Sequence, residues 1–166
     1  MIFTTERLVV RELTIQDAPF IFNLLNTEGF KKNIGDRGID TLEKAKLEID
    51  TRYTTSYPNF GFFVVEDAVT GQAYGGVTLI DRDSLEYPDL GYAFLPEFNG
   101  QGFAFEASLG LAKWANEKGF STLCAIVQSD NVPSISLLKK LGFTFSGTKK
   151  MENPEEILDY YLRIAD

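Results

Sequence analysis

Leu95-Pro96-Glu97-Phe98-Asn99-Gly100-Gln101-Gly102-Phe103-Ala104-Phe105-Glu106-Ala107 separates a strand-like run from a helix-like one, and its reading decides the fold. Before it, Leu90-Gly91-Tyr92-Ala93-Phe94 alternates large and small apolar residues, the period of a pleated strand. After it, Ala104, Ala107, Leu111 and Ala115 recur at helical spacing from Phe103 to Lys118, and Gly119 supplies a stop. Gly100 and Gly102 let the backbone turn tightly and come close to a ligand, while the first amides of the new helix have no intrahelical acceptor. Together with the positive end of the helix dipole, those N–H groups suit a diphosphate.

Spacing separates the glycine loops that share this design. A P-loop needs Gly-x4-Gly-Lys-Ser/Thr, and no such lysine follows here. A dinucleotide fingerprint needs Gly-x-Gly-x-x-Gly, and Phe105 stands where its third glycine belongs, which disfavours a dinucleotide-binding oxidoreductase. Asn99-Gly100-Gln101-Gly102-Phe103-Ala104 instead resembles the Arg/Gln-x-x-Gly-x-Gly/Ala acyl-CoA loop of the GNAT acetyltransferase superfamily. Phe94-x-Pro96 ahead of it resembles the Val-x-Pro strand exit of that family. Asn99 departs from the family pattern, touching a side-chain contact but not the backbone cradle.

The composition excludes several other classes. With 166 residues, 44% hydrophobic and 24% charged, the chain fits a single domain over residues 1–166 with a substantial core. A net charge of −8 argues against a broad nucleic-acid or anionic-membrane surface and matches a cationic amine better. No apolar run approaches a membrane span and no basic leader precedes one, so the expected location is cytoplasmic. Cys124 is the one cysteine, so no intrachain disulfide forms. Histidine is absent, which removes the commonest general base, the Ser-His and Cys-His pairs, and most zinc sites; no metal is expected.

Along the chain, Thr5 to Arg11 reads as a strand, and Thr14 with Asp17 opens a helix through Ile15, Ala18, Phe22 and Leu25. Glu28 to Gly38 reads as irregular, and Asp40 with Glu43 forms a capping-box-like start to a helix reaching about Tyr53. Phe60 to Glu66 and Ala73 to Ile80 read as a hairpin around Thr70-Gly71, followed by a polar connection and the strand Asp89 to Phe94. Beyond the glycine loop and its helix come a buried strand, Thr122 to Val127, and a short helix capped by Asp130 or Asn131 with Pro133 near its start. Two closing strands, about Phe143 to Thr148 and Ile157 to Ile164, join across Glu152-Asn153-Pro154. This order predicts an α/β fold with a mixed, mostly antiparallel sheet flanked by helices.

That order is also similar to the GNAT fold. A second motif, Asn131-Val132-Pro133-Ser134 followed by Lys140-Leu141-Gly142-Phe143, resembles the RimJ/RimL-type N-acetyltransferase branch. Ile34-Gly35-Asp36-Arg37 and Thr5-Glu6-Arg7-Leu8 resemble it more weakly. The resemblance implies attack of a neutral amine on the thioester of acetyl-CoA, with acetyl-CoA and an amine acceptor as partners, in a monomer or homodimer. It places the cofactor's diphosphate on the loop Asn99-Gly100-Gln101-Gly102-Phe103-Ala104, through the backbone amides from Gln101 to Ala104, and its pantetheine along Phe94 and Leu95. Asn131 is implied as a further pantetheine contact, and Ser134 lies near the sulfur in place of the tyrosine many members carry, where this chain has Leu138. Asp89 falls where the family often carries a catalytic acid, with Glu86 and Asp81 nearby; it also reads as a solvated carboxylate at a strand start. Asn131 reads equally as a helix cap, and Cys124 among Leu123, Ala125 and Ile126 as core. Lys139-Lys140 is within reach of nucleotide phosphates, and Asp36 and Arg37 are candidates for the acceptor region. The alternative to an enzyme is a non-catalytic acyl-CoA-binding sensor that keeps the loop and lacks a base.

Overall fold

Strand alternation and short helical repeats organise the chain as follows in the computed structural model, which describes residues 1–152 and 155–166. Strands β1 (Phe3–Thr4) and β2 (Leu8–Glu12) precede helices α1 (Ala18–Leu25), α2 (Glu28–Asn33) and α3 (Leu42–Glu48). Strands β3 (Gly61–Asp67), β4 (Ala73–Ile80) and β5 (Asp89–Phe94) lead into helix α4 (Phe103–Glu117). Strand β6 (Thr122–Val127), helix α5 (Val132–Lys140) and strands β7 (Thr144–Met151) and β8 (Glu156–Ile164) complete it. The described strands form one eight-stranded sheet in the order β1-β2-β3-β4-β5-β6-β8-β7, antiparallel at every junction except β5 with β6. The expected mixed, mostly antiparallel sheet is therefore present.

Successive strand side chains point to opposite faces, so each face buries its own layer. On one face Phe63, Val65, Val77, Leu79 and Leu90 pack under Leu111 and Ala115 of α4 and Leu138 of α5. On the other, Phe62 and Val64 meet Ile21 and Leu24 of α1 and Ala45 of α3. Close approach sets two glycines: a Cβ at Gly76 would lie 2.0 Å from the Phe62 ring, and one at Gly110 would lie 2.4 Å from Phe3.

The local differences from the sequence reading have physical causes. Pro19 lacks an N–H, so the first helix begins as a 3-10 turn over Ile15–Asp17, where the Thr14 N–H donates to Asp17 at 2.8 Å, and becomes α-helical only at Ala18. The segment expected to be irregular contains α2, which the Thr27 hydroxyl caps by accepting from the Phe30 N–H at 3.2 Å while Phe30 is buried. Thr41, not Asp40, caps α3, accepting from the Lys44 N–H at 3.1 Å; Asp40 pairs with the Lys44 ammonium instead. After α3 a π turn, Ile49–Tyr53, carries the chain on to Tyr53 as expected. Asn131 caps α5. Of the turn Glu152-Asn153-Pro154, Asn153 and Pro154 lie outside the described residues.

Phe63 is the largest fully buried side chain, held between Tyr57 at 5.3 Å and Trp114 at 5.6 Å. Phe63→Ala should cost about 3–5 kcal/mol of unfolding free energy, because the rings around it cannot collapse into the cavity. Urea titration measures this, and a loss under about 1 kcal/mol would contradict the core so described.

Candidate active site

The sheet opens at one junction. Strand β5 is held by β4 along its whole length, from Ile80↔Asp89 to Gly75↔Phe94, but meets β6 only at Asp89↔Cys124, where the Cys124 N–H donates to the Pro88 carbonyl at 2.9 Å. Beyond that pair the two strands part. The Leu95 N–H donates to the Tyr74 carbonyl of β4 at 3.0 Å, so by alternation Leu90, Tyr92 and Phe94 turn their backbone groups toward the gap. Phe94 thus offers a free strand edge to a ligand.

The loop that follows closes one end of the gap. A 3-10 turn at Pro96–Phe98 leads to Gly100 and Gly102, both in the left-handed region at φ +75° and +82°, and α4 starts directly after Gly102. The first helical bond runs from the Glu106 N–H to the Gly102 carbonyl at 3.0 Å. Among the described residues, no protein acceptor faces the backbone N–H groups of residues 100 to 105. These donors sit at the positive end of a 15-residue helix, an anion cradle built from backbone. A groove of about 210 Å³ adjoins it, walled by Phe94, Leu137 and the loop, with Lys140 at its rim, 4.8 Å above the Phe105 ring.

The cradle is braced from behind. Arg7 donates to Glu106 at 2.7 Å and to the Gln101 carbonyl at 3.0 Å, and its guanidinium lies 4.4 Å from the Phe103 ring centre. Thr5 also donates to Glu106. Partial burial opposes ionisation of Glu106, but these hydrogen bonds outweigh it and hold the carboxyl below its usual range.

Two sets of polar side chains flank the gap, on opposite faces of the sheet. Asp89 is 5% exposed and accepts from Arg82 at 2.9 Å; burial pushes its carboxyl up to about 6 against the pull of that guanidinium. On the other face, the hydroxyls of Tyr92 and Ser134 lie 2.6 Å apart, and Tyr92 reaches the Ser134 carbonyl at 3.2 Å. Burial raises the Tyr92 phenol above its ordinary range, so at neutral pH it keeps its proton. Cys124 is buried, donates to the Tyr87 carbonyl at 3.2 Å, and has its thiol pushed up to about 12 by burial; it is an inert core residue.

Most of the expected cofactor residues gather here. Phe94, Asn99, Gly100, Gly102, Phe103 and Ala104 line the groove together. Gln101 lies on the outer side of the loop, its carbonyl accepting from Arg7 and its side chain donating to the Glu97 carbonyl at 3.2 Å. Leu95 has neither backbone group free, because its carbonyl accepts from the Phe98 N–H at 3.0 Å; Phe94 alone keeps the strand edge. Asn131 caps α5 through the Ser134 N–H at 3.3 Å, and Ser134 stands one turn before Leu138. Glu86 and Asp81 make no ion pair among the described residues, whereas Asp89 does. Tyr92, Arg82 and the brace by Arg7 were not anticipated as site features. Tyr92 carried a signal, a phenol among the apolar residues that follow Asp89 in β5; Arg82 carried none, since its partner is set by the sheet register.

The model of the acetyltransferase (GNAT) domain matches residues 7–144. The uncharacterized N-acetyltransferase YoaA of Bacillus subtilis is 28% identical over 151 residues, covering 88% of this chain and 84% of the relative. Spermidine N-acetyltransferase from Vibrio cholerae, solved with CoA and spermine, superposes with a TM-score of 0.80 at 19% identity, covering 96% of each chain. RimL, a ribosomal L7/L12 alpha-N-protein acetyltransferase solved with coenzyme A, gives a TM-score of 0.80 at 16% identity over 99% of this chain and 98% of that one. The structural likenesses establish the fold, and the match across most of the chain establishes the family: this protein belongs to the GNAT acetyltransferases.

Proposed function

We propose that this chain moves an acetyl group from acetyl-CoA directly to a primary amine, either a protein N-terminus or a small amine, as a cytoplasmic enzyme of the RimJ/RimL-like branch. The observation that carries the reading is the run of free amides over residues 100 to 105 beside a groove that ends at the Phe94 strand edge. The Asn131-x-x-Ser134 and Leu141-Gly142-Phe143 motifs and the likeness to RimL support the branch. Acetyl-CoA, when bound, supplies an activated acetyl group as its thioester.

The rest is work for side chains. An amine with a reference pKa of about 8 to 10.4 is mostly protonated at pH 7, so a base helps it attack. Asp89, with its carboxyl near 6, is ionised at that pH and basic enough to take the proton, and Arg82 steadies its charge. On the opposite face the Tyr92 and Ser134 hydroxyls share one hydrogen bond in which either can donate; with Tyr92, still protonated, as the donor, the serine proton is free to point at a leaving sulfur. A second reading, a sensor that binds acyl-CoA without turning it over, is favoured by one feature: Asp89 is buried and already paired. Release of thiol from acetyl-CoA in the presence of an amine panel separates the two.

Three outcomes follow. Gly102→Val forces a branched side chain into φ +82°, at a strain of about 1–2 kcal/mol, and turns the cradle amides; acetyl-CoA affinity by calorimetry should fall at least about tenfold. An unchanged dissociation constant refutes the cradle. In the pH profile of kcat/KM, activity should rise through about pH 6 as Asp89 loses its proton, because only the ionised carboxylate accepts one. Asp89→Asn should remove that limb and lower kcat about 100-fold, and a variant with full turnover rules out the base. Tyr92→Phe and Ser134→Ala should each lower kcat, and their double variant should lose no more than the worse single one, as hydroxyls acting as a unit do. Strict additivity would mean that they act apart.

A further inference from the structure

Resting on the acetyl-transfer reading, we propose that the acceptor carries an anionic group near its amine and that Arg37, in the connection between α2 and α3, receives that group. Gly35 and Gly38, at φ +142° and +69°, fold this connection, and the Gly38 N–H donates to the Asp36 carboxylate at 3.0 Å. The turn sends Arg37 inward: its Nε atom is buried and has no hydrogen-bond partner among the described residues, and its guanidinium lies 5.9 Å from the Phe30 ring centre. Arg37 also forms no ion pair among those residues.

The titratable groups that face Arg37 leave its guanidinium unpaired. They are Tyr53, Arg52, Glu48 and Arg82. Glu48 lies 3.8 Å from Arg52, beyond hydrogen-bond distance, and its Oε2 is itself buried without a hydrogen-bond partner; Asp89 takes Arg82 at 2.9 Å, and Tyr53 is a buried neutral phenol. Among the described residues Arg37 therefore bonds no carboxylate, and unlike Arg163, which donates to the Leu141 carbonyl, its buried nitrogen has no acceptor at all. An unpaired charge in a partly buried place is costly unless something else pairs with it. Arginine, always charged and forked, fits a carboxylate or a phosphate. Phe30 and Tyr53 belong to the layer under α1 and α3, the face toward which Asp89 points, and Arg82 links the two arginines' neighbourhood to that carboxylate. Arg37, set against Phe30 of that layer, thus lies on the face of the sheet to which Asp89 turns, the side on which an amine at Asp89 would carry its anionic neighbour.

The test uses the full chain, acetyl-CoA and primary amines in matched pairs: an α-amino acid against its amide, and an aminoalkyl phosphate against its amino alcohol. Initial rates of thiol release should favour the anionic member of one pair by at least about tenfold in kcat/KM, expressed mainly in KM. The favoured pair tells carboxylate from phosphate. Arg37→Ala should erase the preference, leave the neutral member within about twofold, and leave acetyl-CoA affinity by calorimetry unchanged, with Arg37→Lys keeping part of it. Equal rates within both pairs for the native protein overturn the inference, and that comparison needs no variant to fold. So does an Arg37→Ala variant that loses both members alike and melts earlier, as a purely structural arginine would. Absence of thiol release with every amine overturns the transferase reading itself, and this inference with it.

Discussion

A single residue pair, Asp89 with Cys124, joins two halves of a sheet whose strands part beyond it. Unpaired strand edges are normally a liability, since each exposed N–H and C=O seeks a partner. Here the edge is tolerated because β5 and β6 are each secured on their far side, β5 by β4 and β6 by β8, over six residue pairs apiece. The parallel junction therefore does not have to hold the sheet together. It can spread, and the spread presents the backbone of Phe94 to whatever enters between the strands.

That opening also divides the chemistry by face. Strand alternation sends Asp89 toward the α1–α3 layer and Tyr92 toward α4 and α5, so a carboxylate and a pair of hydroxyls approach one gap from opposite sides. Their environments differ accordingly. Asp89 is raised toward neutrality by its dry surroundings yet kept ionisable by Arg82, whereas Tyr92 is held protonated next to Ser134. An acyl transfer needs a proton taken from one partner and a charge relieved on the other, and a carboxylate and a pair of hydroxyls on opposite faces would suit those two tasks.

The sequence exposes whatever is local in this arrangement. Gly100 and Gly102 sit in one turn, α4 repeats its apolar residues over 15 positions, and both are legible without a fold. The α/β class and the loop follow from them. Contacts that bridge distant positions were not legible: Tyr92 meets Ser134 across 42 residues, and Arg7 meets Gln101 across 94. Leu95 shows the same limit from the other side. Its pattern continues the strand, but its amide is spent on Tyr74 of β4, a partner that only the register reveals. Helix α2 escaped because six residues containing Gly29 and two lysines display no helical period; a Thr27 cap and one buried phenylalanine suffice to hold it.

The brace formed by Thr5, Arg7 and Glu106 ties the glycine loop and the start of α4 to the first hairpin of the chain. A ligand that tightened this loop would therefore draw on the first hairpin as well, and its binding free energy would be shared beyond the loop itself. Hydrogen–deuterium exchange would register such sharing as slower labelling in β1 and β2, far along the chain from the occupied groove.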